Sequence, residues 1–208
     1  MKTRFPNRRV TAPLLGLLGL LAVAPAWAHG SIPGGSAFFA GLVHPALVAA
    51  HLVGLIAVAL MAAQQGLSPR PHELLGLAAG LALGALAAGW AGEPDTDRAL
   101  WLLVVATALA VAFGRNYPAA FRLWMPACIG LAMGLASGDA TLTGGRRVAA
   151  LAGSFIGAMV IASQLAVAIE ALLRRWPHPA LRIGVRVLAS WVAAVGVLLT
   201  ALALRPAG

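Results

Sequence analysis

Histidine within an apolar run is the residue type in this chain best suited to bind a metal ion or relay a proton. The run Phe38-Phe39-Ala40-Gly41-Leu42-Val43-His44-Pro45-Ala46-Leu47-Val48-Ala49-Ala50-His51 holds two of them. Polar side chains in hydrocarbon are costly and face the interior of a helix bundle or a solute path. On one unbroken helix a seven-residue spacing is nearly two turns, so both imidazoles share a face with about 10 Å of rise between them. Ligands that chelate a single ion from one helix sit three or four residues apart, so this spacing predicts two successive stations rather than one site. Pro45 has no amide proton, which loosens the preceding turn and leaves the Gly41 carbonyl available to a solute. The competing reading is a proline kink with each histidine hydrogen-bonded to a neighbouring helix.

The other donors are sparse. If an export signal is removed after Ala28, His29 becomes the first residue, and its α-amine and imidazole form a chelating pair for a late first-row metal. The expected metal residues are therefore His29, His44 and His51. Met61, Met125, Met133, Met159 and Cys128 offer soft sulfur suited to copper(I), but scattered methionines ordinarily fill gaps between helices. Cys128 is the single cysteine, which excludes an intrachain disulfide and a thiolate cluster. His72 and His178 stand beside prolines and read as solvated loop residues. The acids near helices, Glu73 and Glu170, fall at ends assigned to the cytoplasm. For catalysis, Gly134-Leu135-Ala136-Ser137-Gly138 is only loosely like the setting of an intramembrane serine nucleophile, with no histidine placed as its base. Neither a phosphate loop nor a C-x-x-C-H haem site occurs. An enzyme is not expected, nor a tightly bound cofactor.

These residues must be held by membrane helices. The 208-residue chain is 61% hydrophobic and 10% charged, whereas soluble domains carry about 25% charged residues. Only helices that satisfy their own backbone can cross lipid in such runs. The fold class is therefore all-α, a polytopic bundle in the lipid bilayer. Lys2, Arg4, Arg8 and Arg9 precede a short apolar stretch, 12–23, and then Ala26-Trp27-Ala28, the pattern of a cleavable signal peptide over 1–28. Six apolar segments follow at 37–63, 74–91, 99–114, 119–136, 148–173 and 181–204, making 29–208 one six-helix transmembrane domain. The net charge of +9 comes from arginines scattered at segment ends, without the basic, aromatic-interleaved stripe of a nucleic-acid binder. With the mature N-terminus outside, Arg70, Arg115, Arg122, Arg174, Arg175, Arg182 and Arg186 fall inside against Arg98, Arg146, Arg147 and Arg205 outside, a positive-inside bias.

Glycines recur every fourth residue at Gly76, Gly80 and Gly84, at Gly130, Gly134 and Gly138, and at Gly153 and Gly157. Such stripes let helix backbones approach closely, a main source of packing energy where lipid removes the hydrophobic drive. They are expected to pack helices.

In its first mature helix the chain resembles the HupE/UreJ family, hydrogenase- and urease-associated membrane proteins regarded as nickel or cobalt permeases. That family's pattern reads H-P-x-x-G-x-D-H, then x-x-x-M-x-x-V-G. His44, Pro45 and His51 stand at matching positions, after a similar aromatic-Gly-Leu lead-in. The His29-Gly30 start, the length, the signal and the six-helix plan are also similar. Val48, Ala50 and Leu55 replace the pattern's glycine, aspartate and methionine. A second family motif, H-G-x-A-H-G, aligns with Met133-Gly134-Leu135-Ala136-Ser137-Gly138, where both histidines are replaced.

The resemblance implies a protein of the bacterial inner (cytoplasmic) membrane, its mature N-terminus periplasmic, that binds or transports nickel or cobalt and serves a metalloenzyme maturation partner. The lost ligands leave an alternative, an accessory or assembly protein that keeps the scaffold without transport.

Overall fold

The computed structural model describes residues 36–65, 71–88, 96–137 and 141–203. The expected signal peptide and His29 lie outside the described residues. Within them the chain is all-helical, with α1 (Ala37–Leu47), α2 (Ala49–Gln65), α3 (His72–Ala87), α4 (Asp97–Phe113), α5 (Ala119–Ala136), α6 (Gly144–Arg175) and α7 (Pro179–Ala203). Three stretches are long and apolar enough to cross a membrane by themselves, Ala119–Ala136, Gly144–Arg175 and Pro179–Leu202. The pair α1 and α2 makes a fourth if it is counted as one span. At 1.5 Å per residue, the 16 residues of α3 and the 17 of α4 come to about 24 and 26 Å, short of a hydrocarbon core of about 30 Å.

One expectation is corrected. The apolar stretch 37–63 is not a single straight helix, because α1 and α2 meet at a 70° bend. The break is at Val48, whose backbone is extended (φ −87°, ψ 112°), three residues beyond Pro45.

Glycine sets the architecture, as the four-residue spacing predicts. A Cβ at Gly76, Gly80 or Gly84 of α3 would strike the carbonyl of Leu123, Ala127 or Leu131 of α5, and one at Gly130 or Gly134 would strike the Leu77 or Leu81 carbonyl in return. The residue numbers rise together, so α3 and α5 run parallel with their backbones in contact. By the same test Gly153 and Gly157 of α6 lie on Phe38 and Leu42 of α1, while Gly41 lies on Ala150, a second parallel pair. Helices α4 and α7 are antiparallel, with Val105 beside Gly196 and Arg186 reaching Ala112. These directions are those of a chain that reverses at each connection.

Helix α2 runs through the middle. Eleven of its residues, from Ala50 to Ala63, are buried, and each of the three buried clusters draws on it, through Leu55 and Val58, Leu60 and Met61, and Ala59 and Ala62. A helix apolar on all sides needs such a central position.

The C-terminal end of α4 is closed by side chains from three directions. The last carbonyls of a helix have no intrahelical donor. Here Tyr117 Oη donates to the Ala110 carbonyl at 3.1 Å, Gln64 Nε2 to that of Val111 at 3.0 Å, and Arg186 Nε to that of Ala112 at 2.8 Å. Arg186 also places positive charge at the negative end of the helix dipole. Gly114 ends the helix in the left-handed region, φ 66°. Alanine there would adopt a conformation costing about 1–2 kcal/mol and set its Cβ 2.9 Å from Arg186 Nε. Gly114→Ala is therefore expected to lower stability by roughly that amount in reversible unfolding from mixed micelles; an unchanged midpoint would remove the capping role assigned to this turn.

Glu73 and Arg122 join the first turns of α3 and α5. The Glu73 side chain has no exposure, that of Arg122 has 15%, and Arg122 donates from Nε to Oε1 and from Nη2 to Oε2, the latter at 3.2 Å. Arg174 and Glu170 pair four residues apart on the surface of α6 with Arg174 69% exposed, an arrangement worth only a few tenths of a kcal/mol, ~0.3–0.5.

Candidate metal site

His44 sits one turn before the end of α1 and His51 in the first turn of α2. Ser36 starts α1 by accepting a hydrogen bond from the Phe39 amide at 3.4 Å. At the other end the Val48 amide donates to the His44 carbonyl at 3.1 Å, and the Val48 carbonyl then accepts from Leu52 at 3.0 Å. Val48 thus ends one helix and starts the next, with its own amide and carbonyl both paired.

That turn changes the relation between the two histidines. On a straight helix they would be stations about 10 Å apart. Across the bend their ring centroids are 5.2 Å apart and the rings meet edge to face at 71°. The straight-helix separation of about 10 Å is therefore not what the fold gives, and the two rings are direct neighbours. Two metal–nitrogen bonds of about 2.0 Å each, laid end to end, hold imidazole centres roughly 6 Å apart, and closer when the bond angle bends. The observed separation is within reach of a single ion.

The surroundings are apolar. His51 is 1% exposed, Pro45 is buried and His44 is half-buried. Ala50, just past the break, belongs to a buried cluster with Met133 and Ala158, and Val48 at the break packs against it with Phe155 and Met159. The Nδ1 atom of His51 is buried without a hydrogen-bond partner among the described residues. Buried polar atoms are nearly always paired, so an orphaned imidazole nitrogen beside a second imidazole has the character of a ligand position. Among the described residues no group of three or more histidines, cysteines or acids gathers elsewhere. His29, the third expected metal residue, lies outside them.

The remaining candidates have other partners. Ser137 Oγ donates to the Met133 carbonyl at 2.7 Å and lies 3.2 Å from Ser154 Oγ, beside a small recess lined by Leu81, Ala85, Gly134, Leu151 and Phe155. His178 Nδ1 accepts from the Ala180 amide at 3.2 Å, a local turn contact. Cys128 is exposed on α5. Glu73, read from the sequence as an acid near a cytoplasmic end, is a fully buried partner of Arg122. Its only signal in the sequence is an arginine, Arg122, four residues into an apolar run.

We found no match among curated proteins or solved structures. A family model described as HupE / UreJ protein matches residues 17–199, which is most of the chain and includes the histidine bend and both glycine-packed helix pairs. The chain belongs to the HupE/UreJ family.

Proposed function

We propose that this chain binds a transition-metal ion between His44 and His51 and passes it across the inner membrane from the periplasmic side, His29 serving as the capture residue at the mature N-terminus. HupE/UreJ proteins are, as a family, metal accessory or transport proteins of the membrane. The observation that carries the reading is the pair of rings 5.2 Å apart at a break in the central helix, one of them almost completely buried with an unpartnered nitrogen. Intramembrane histidines of this kind mark ion pathways. The break places the pair where α1 gives way to α2, so an ion released from it would continue along the helix that runs through the middle of the bundle.

A second reading is a non-transporting accessory protein that assists a metalloenzyme. It is favoured by Ala50, Met133 and Ser137, which stand where the family pattern has an aspartate and two histidines.

Metal content of cells expressing the chain, after exposure to nickel, cobalt and copper salts, separates the two. Transport predicts accumulation of at least one ion above vector controls, and a return to the control level with His44→Ala or His51→Ala. Accumulation that both substitutions leave untouched, with normal membrane insertion, would overturn the transport reading and leave the accessory one.

A further inference from the structure

We infer that the end of the bundle where α4 stops and α7 starts binds the phosphate headgroup of an anionic phospholipid, at a site separate from the histidine bend. The two antiparallel helices differ in length, and the difference forms a step. Helix α4 has 17 residues and α7 has 25, about 26 and 38 Å at 1.5 Å per residue. Arg186 Nε meets the Ala112 carbonyl at 2.8 Å in the last turn of α4, so the part of α7 from Pro179 to Val185, about 10 Å of helix, overhangs that end. Arg186 also lies against Gly114, whose Cβ position is 2.9 Å from its Nε, and the exposed Arg115 follows directly. Arg182, one turn before Arg186 on the same face of α7, is exposed as well.

The depth of Arg186 is what calls for a ligand. Trp176, exposed at the end of α6 with the Arg175 guanidinium 6.0 Å from its ring centroid, has the character of a residue at the membrane interface. It precedes the first turn of α7, so Arg186 lies about two turns further along the span. A long arginine ordinarily extends toward water, but the bond to Ala112 holds this one at its level while the residue stays exposed. A lipid-facing charge there is costly unless a polar group is drawn in beside it. The bond to Ala112 uses one guanidinium N–H of five, and the fork geometry of the others suits phosphate oxygens. The apolar half of the ligand is matched too. Leu102, Leu109 and Phe113 are exposed along one face of α4 and end at the step. Acyl chains laid on that stripe would set their headgroup among Arg115, Arg182 and Arg186. A headgroup of net negative charge fits three arginines, whereas a zwitterionic one brings its own cation.

The test titrates the delipidated full chain in detergent with phosphatidylglycerol and with phosphatidylcholine of the same acyl chains, and reads bound lipid by native mass spectrometry. Each arginine near a headgroup contributes about fivefold, so one phosphatidylglycerol is expected to bind at least ~25-fold tighter than phosphatidylcholine. Arg115→Gln with Arg182→Gln is expected to cut that preference by ~10-fold or more, and each single substitution by ~3-fold or more, so the result does not depend on the double variant folding. Arg186 is left in place because it also caps α4. Arg146→Gln, an exposed arginine in the first turn of α6 at the opposite end of that helix, is the control for net charge and is expected to keep the full preference. Equal affinity for the two lipids, a preference that survives the double substitution, or an equal loss in Arg146→Gln would overturn the site. Full displacement of the lipid by excess inorganic phosphate would assign the arginines to a free anion and overturn the lipid reading. His44→Ala and His51→Ala are expected to bind phosphatidylglycerol normally, which keeps this site distinguishable from the metal one.

Discussion

Replacing Gly153 with leucine is expected to abolish the metal binding proposed for His44 and His51 as completely as removal of either imidazole. Gly153 contributes no ligand and sits on α6, away from the bend in sequence by more than 100 residues. Its effect is positional. Helix α1 is only 11 residues long, and its backbone lies directly on α6 at Gly41, Gly153 and Gly157. A Cβ at position 153 would fall on the Phe38 carbonyl and 2.8 Å from the Leu42 amide nitrogen, both backbone atoms with no rotamer to yield. The short helix must move outward and carry His44 with it, while His51 stays on the buried central helix. Metal sites accept ligand errors of only about 0.2 Å, so binding should weaken by at least ~100-fold. Gly145→Leu on the same helix is the control, because a Cβ there meets nothing within 4 Å. Normal helicity and normal metal affinity in Gly153→Leu would show that α6 does not hold the site together.

The same helix pair shows what the sequence reveals and what it conceals. A glycine every fourth residue is a local pattern with a local meaning, a bare stripe on one helix face, and the stripes at 76–84, 130–134 and 153–157 are where the backbones touch. Composition alone carries the all-helical membrane class for a similar reason, since every apolar segment states its own need for lipid or burial. Which histidine meets which is not local. The sequence around the bend is uniformly apolar and continues the helical pattern through Val48, and its one conspicuous breaker, Pro45, is accommodated inside α1.

The turn comes instead where a short helix seated on α6 must connect to a helix threaded through the centre, and that requirement is written in Ala150, Gly153 and Gly157, about 100 residues downstream. Straight-helix arithmetic therefore separates two rings that the fold brings to 5.2 Å. The Glu73–Arg122 pair is hidden in the same way, because 49 residues separate an acid near a loop from a base inside an apolar run, and only the parallel packing of α3 on α5 sets them side by side.

Glu73→Ala is expected to destabilise the bundle by up to about 3–5 kcal/mol, the cost of breaking a buried ion pair and both of the hydrogen bonds it holds. Arg122 is 15% exposed, too little for water to take over both hydrogen bonds that Glu73 now accepts. The double replacement Glu73→Leu with Arg122→Met is expected to recover most of the loss, since removing both charges also removes the desolvation penalty, and apolar groups of similar volume fill the space. Comparing the single and double variants by reversible unfolding in mixed micelles isolates the pair from the packing of its atoms. A single substitution with no cost would mean that Arg122 reaches the interface on its own.

The result also bears on ion selectivity. If Glu73 served as a countercharge for a passing cation, the double variant would be stable yet lose metal binding. If its charge is spent on Arg122, as the two-point contact requires, the double variant keeps its affinity at the histidine bend. The second outcome is expected, because an acid already neutralised by a guanidinium has no charge left with which to hold a dication.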